Sequence, residues 1–185
     1  MMFFTPLILE EEGLSPSKTA LSMSLMIFAS IILGQIWATH SDATQERIWH
    51  STLGLVMMFV GLCVAPVTLA VSSVPVWATV VSIAVARCGV QMSVVPFQAF
   101  LADVLPKNAA NAGMALVGMS ASAAGIVSPV VVGALRSQYL SFSPSLLFMA
   151  ACVLLAIAAF LPLGFIYRRR RLMKLRDIEM GESHQ

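Results

Sequence analysis

Five long apolar runs, at about residues 19–38, 52–71, 76–100, 113–135 and 146–167, dominate this chain of 185 residues. Each is near the ~20 residues that an α-helix needs to cross hydrocarbon. None has the alternation of a barrel strand, and within a bilayer every backbone N–H and C=O must be satisfied in its own segment, which leaves helices. The predicted fold class is therefore all-α, a polytopic membrane helix bundle with about five full transmembrane helices. Residues 1–9, ahead of Glu10, Glu11 and Glu12, read as an N-terminal helix stub, since they lack the basic start and small-residue cleavage site of a signal peptide. The chain is 58% hydrophobic and 11% charged, against roughly 45–50% and 25% in soluble domains. What lies outside the spans is too short for an ordinary soluble domain, so the expected organisation is a membrane domain over 1–167 and a basic tail over 168–185.

The formal net charge of +2 excludes a strongly basic nucleic-acid binder; no nucleic acid is expected as a partner, and the lipid bilayer is. Placement of the charges is more informative. Eight of the 11 basic residues (Arg47, Lys107, Arg168, Arg169, Arg170, Arg171, Lys174 and Arg176) fall on one side of the predicted bundle. Lys18 and Arg136 fall on the other, and Arg87 falls inside a span. By the positive-inside rule the loops at about 39–51 and 101–112 and the C-terminus are cytoplasmic. Trp37, Trp49 and Tyr167 then lie near the inner interface and Trp77 and Tyr139 near the outer one. The expected location is the plasma membrane ahead of an organelle. The run Arg168 to Arg171 reads as a stop-transfer anchor, worth about 1 kcal/mol per basic residue against anionic lipid.

Arg87 is the most informative residue, because a charge near the centre of a span costs at least ~2.5–3.5 kcal/mol. One reading is an anion hook, a guanidinium facing the bundle interior that grips a carboxylate. The other is a structural arginine satisfied by helix carbonyls or by the amides of Gln35, Gln91 or Gln98. No span carries an acidic residue to neutralise it. Gln91, one turn on, shares its helix face.

The fourth span is crowded with small residues, among them Gly118, Ser122 and Gly125, which suit close helix approach. Pro66, Pro96 and Pro129 are candidate bends. The stretch from Gly34 to His50 reads as the end of the first span and a short loop. There Asp42, Glu46 and Arg47 form either a charge cluster holding two helix ends together or, as the physics of exposed pairs favours, an ordinary solvated loop. Glu10, Glu11 and Glu12 read as a solvated helix end. Cys63, Cys88 and Cys152 are scattered through apolar stretches and read as packing residues. His40 and His50 lack a cysteine or carboxylate pair at ligand spacing, so neither a metal site nor a cofactor is expected. Without Asp, Glu or His at depth in any span, intramembrane catalysis lacks its acid and base, and an enzyme is not expected.

Taken in order, Phe4-Thr-Pro-Leu-Ile-Leu with Gly13-Leu-Ser, Gly34 with Ser41-Asp42, Glu46-Arg47 and His50, Pro96-Phe-Gln-Ala, and Ala112-Gly-Met-Ala-Leu through Gly125, Pro129 and Gly133 resemble the C-terminal half of a major facilitator superfamily transporter. The resemblance covers nearly the whole chain and is closest to the anion:cation symporter family, which includes organic anion permeases. It implies the last five helices of twelve plus the stub of the seventh, with two six-helix halves rocking about a midplane site. Gly34, Asp42 and Arg47 look like the second-half copy of the family's cytoplasmic gating motif. Ala43 and Ile48 stand where that motif carries basic residues, which implies a weaker latch. Gly118 and Ser122 stand where the family often has Asn, and Arg87 where it has a small residue.

The resemblance implies cation- or proton-coupled alternating-access transport of a small organic anion of carboxylate type. Arg87, Gln91 and Ser122 are the expected substrate-binding residues, and Gly34, Asp42 and Arg47 the gating residues. The implied partners are that anion, a proton or other coupling cation, and a missing N-terminal transporter half. The alternative expectation is a truncated, non-transporting membrane protein that packs with or regulates a full transporter.

Overall fold

The computed structural model describes residues 4–71, 73–106 and 109–182, with side chains through Tyr167 and at Arg169. Six helices follow one another: α1 (Thr5–Glu11), α2 (Pro16–Thr44), α3 (Arg47–Ala70), α4 (Val76–Val104), α5 (Ala110–Tyr139) and α6 (Ser143–Glu182). Five of them, α2 to α5 and the Ser143–Tyr167 part of α6, are long and apolar enough to cross a membrane. Pro16 begins α2 behind an extended Ser15, and Pro75 precedes α4. Both use a ring whose missing N–H would be unsatisfied in a first turn anyway.

The helices outrun the apolar runs. Hydropathy reports where hydrocarbon begins, whereas a helix stops only where capping or sterics stop it, and His40-Ser-Asp-Ala-Thr contains neither Gly nor Pro. Helix α2 therefore continues through Thr44, and the expected loop shrinks to Gln45, in the left-handed conformation at φ 55°, and Glu46. Asp42 and His40 are helical residues, a correction to their expected place in a loop. Likewise α5 reaches Tyr139 and α6 starts at Ser143, so Pro144 sits in a first helical turn. Helix α6 runs on without a break past Tyr167. The first three residues of the stub and Lys107 lie outside the described residues, as do the side chains of the other tail arginines. Helices α3, α4 and α5 pass unbroken through Pro66, Pro96 and Pro129.

Helix α4 is the hub. It packs most extensively on α3 and next on α2, while α6 packs on α3 and sets Phe160 and Tyr167 against Phe97 and Phe100 of α4. Glycines set these distances. A Cβ on Gly54 of α3 would stand 2.5 Å from the Ser93 backbone nitrogen, and one on Gly61 would stand 2.5 Å from that of Ala86. Gly89 of α4 lies equally tight on the Met58 and Gly54 backbone. Without a hydrophobic drive between helices in lipid, this close backbone approach supplies the packing energy. The core joins Ile8 and Leu9 of α1, Met26, Leu62, Ala65, Ile83 and Ala86 to Phe142, Leu146, Ala150, Val153 and Ile157 around α6.

Helix α5 contributes nothing to that core; Val132 is its one buried residue among those described. The small-residue face expected to bring a helix close is open, with nothing within 4 Å of a Cβ on Gly118, Gly125 or Gly133. Close packing belongs instead to the glycines of α3 and α4.

Candidate functional site

Side chains at the Arg47 end of the bundle join three helices. Arg47 Nη1 donates to Asp42 Oδ1 at 3.0 Å, tying the start of α3 to the end of α2. Its Nε lies 2.6 Å from Asp103 Oδ2 on α4, an ion pair whose N–H is not aligned as a hydrogen bond. The Arg47 side chain is 17% exposed, that of Asp103 43% and that of Asp42 62%, so the pair across to α4 is the better shielded. Sequence reasoning found Asp42 and Arg47 but not Asp103. The available signal was an acidic residue at the end of the third apolar run, on the same side as Arg47.

Gly34, the remaining gating candidate, is buried one helix turn and a half below His40 and presses on Gln91 of α4, whose Cγ would lie 2.6 Å from an added Cβ. Two expected sites thus touch: the gating glycine and a substrate-binding glutamine.

One turn before Gln91 stands Arg87, half-buried in the middle of α4. Its Nε is buried with no hydrogen-bond partner. Among the described residues no bond joins it to Gln35, Gln91 or Gln98, and no ion pair reaches it. The amide-satisfied reading therefore lacks its contacts. A buried, unspent donor on a charged group costs several kcal/mol unless something accepts from it, and the natural acceptor is an anionic oxygen.

Ser122 stands apart from this pair. It is exposed on α5 and donates to its own helix at Gly118 O, 2.9 Å away; among the described residues no hydrogen bond joins it to α4.

The opposite end of the bundle holds a second ion pair. Both oxygens of Glu11 accept from the Arg136 guanidinium, one of them at 2.7 Å. Arg136 also lies over the Phe142 ring, 4.1 Å from its centroid. Glu11 is exposed at the end of α1, as expected, and it also has an ion-pair partner 125 residues away, beyond the reach of local pattern. Among the described residues, no group of three or more His, Cys, Asp or Glu side chains gathers to hold a metal ion.

Residues 1–180 match the family described as Major Facilitator Superfamily. Two proteins of Agrobacterium vitis, each named "Putative tartrate transporter", are similar to the chain. One is 28% identical over 153 residues, 83% of this chain and 33% of its own length. The other is 29% identical over 160 residues, 86% of this chain and 35% of its own. The chain spans about a third of the length of these relatives. No solved structure matches it.

Proposed function

The chain belongs to the Major Facilitator Superfamily, and on that premise we propose that it is a C-terminal portion of a secondary transporter carrying a small organic anion of carboxylate type, such as tartrate, across a membrane by alternating access. Arg87 is the observation that carries this reading: a half-buried cation with an unspent Nε–H, in a superfamily whose substrates bind near the midplane between two rocking halves. A carboxylate there supplies both the charge and the acceptor that the protein does not. Gln91, one turn along, offers an amide to the same ligand, and Ser122 faces it from α5 once the second half of the cavity is in place.

The Arg47 end acts as the cytoplasmic latch in this scheme. While Arg47 holds Asp42 and Asp103 together, α2, α3 and α4 stay in register at that end, and loss of the pairs frees α2 to tilt. The coupling ion is a proton or another cation, which returns the charge that the anion carries inward.

The test is uptake of labelled tartrate by the protein, expressed from its full reading frame, in proteoliposomes. Saturable uptake competed by other small dicarboxylates and driven by an imposed cation gradient is expected. Uptake no faster than that of empty vesicles would refute the reading.

A further inference from the structure

Helices α2 and α3 touch each other sparsely, since each packs chiefly on α4. Their side-chain bonds gather just behind the Gln45–Glu46 turn. Trp37 Nε1 donates to His50 O at 3.1 Å, and the His40 and His50 rings face each other with Nδ1 of the first 2.7 Å from Nε2 of the second. His50 is buried at 8% exposure, and its other nitrogen, Nδ1, lies 2.7 Å from Glu46 O. A carbonyl only accepts, so Nδ1 of His50 carries a proton. The Trp37 indole stacks on His40 with centroids 6.1 Å apart and sits 4.9 Å from the His50 ring.

From this geometry we propose that His40 and His50 are a proton-binding clasp between α2 and α3, tightened by one added proton and opened by a second. The count of protons at the facing nitrogens fixes that order. With both rings neutral, Nε2 of His50 is bare and accepts from Nδ1–H of His40. One added proton, at the outer Nε2 of His40, makes a cation whose bond to His50 is charge-assisted and therefore stronger; the stacked indole face suits the same cation. A second added proton has one place left, Nε2 of His50. Two N–H groups would then point at each other across 2.7 Å, and two like charges would share one contact.

The charged side chains around the pair come from three helices and the turn. Asp42 on α2, Glu46 in the turn and Asp103 on α4 oppose the single Arg47 on α3. From α6 the described ionisable side chains at this end are Tyr167, edge-on to Phe100, and exposed Arg169. From α1, Glu10, Glu11 and Glu12 lie beyond the far end of α2. Imidazole is the side chain whose unperturbed charge change lies between about pH 5 and 8, which sets the range to be scanned. It stands apart from the transport reading, because its readout is protonation and ring contact and not uptake.

The experiment is a pH titration of the protein expressed from its full reading frame, in lipid nanodiscs, with 15N-labelled histidine and the two signals assigned by their loss in His40→Gln and His50→Gln. Emission of the same protein with and without Trp37→Phe isolates the Trp37 signal by difference. The pair is expected to take up protons in two steps at least tenfold apart in proton concentration, with Trp37 emission changing in the same two steps; in His50→Gln, His40 should titrate once. The titration with both histidines in place decides, and the variants serve only to assign the signals. Single, independent steps for both rings, coincident with that of an unstructured histidine peptide, would overturn the proposal, as would a two-step titration to which Trp37 emission is blind.

Discussion

Gly34 of α2 rests on Gln91 of α4 so closely that a methyl group on the glycine would stand 2.6 Å from Gln91 Cγ and 3.3 Å from its Cβ. The contact joins two residues that the sequence places 57 residues apart, and under the proposed function it ties the gate to the substrate site. Any tilt of α2 against α4 shifts the Gln91 side chain, and any ligand that fixes Gln91 resists the tilt.

Gly34→Ala should therefore destabilise the bundle by about 1–3 kcal/mol, the range for overpacking, and Gln91→Ala should relieve most of that. A double-mutant cycle read by thermal unfolding in detergent should give a coupling of ~0.5–3 kcal/mol. Strict additivity would remove the contact from the account.

The two carboxylates on Arg47 are not equal. Asp103 faces the shielded Nε and crosses to the hub helix, while Asp42 is the more exposed. Asp103→Asn should open the Arg47 end to a thiol reagent at a cysteine placed at Ser41 by more than Asp42→Asn does, with stability losses of at most about 1 kcal/mol for either exposed pair. Added salt should shrink the difference. Equal effects would contradict the geometry.

Gly61 meets backbone and not a flexible side chain, so neither rotamer change nor local relaxation absorbs a methyl group there. Gly61→Ala should cost at least as much as Gly34→Ala, while Gly125→Ala, with open space around it, should cost nothing measurable on this chain. Thermal unfolding of the three variants side by side checks the order.

Arg136 makes two contacts where Glu11 makes one. Replacing it with alanine removes the ion pair and a cation–π contact worth about 0.5–1 kcal/mol at an exposed site; Glu11→Gln removes the ion pair alone. Arg136→Ala should lower the midpoint of denaturant unfolding further than Glu11→Gln, and Phe142→Leu should erase the difference.

The five spans were legible because a run of ~20 apolar residues has one solution in lipid. Helix ends were not, since the polar residues from His40 to Thr44 continue a helix whose hydropathy has already ended. Arg87 was legible as an anomaly in composition, and its missing partner follows from the absence of acid in the spans. Asp103 and the Glu11–Arg136 pair were invisible because they are relations between distant segments. The α3–α4 contact could have been found: Gly54 and Gly61 repeat at seven residues, the spacing that keeps two glycines on one helix face. The glycines of α5 are denser in the sequence but meet no partner helix here, with open space around Gly118, Gly125 and Gly133.

The central claim is that Arg87 binds the transported anion, and its most direct measurement is dicarboxylate affinity by isothermal titration calorimetry on the protein expressed from its full reading frame. Arg87→Met should weaken tartrate binding by about 10- to 100-fold, the equivalent of a hydrogen bond to a charged group. The unliganded melting temperature should hold or rise, because the variant removes a buried donor without a partner. A folded Arg87→Met protein that binds tartrate with unchanged affinity would contradict the account.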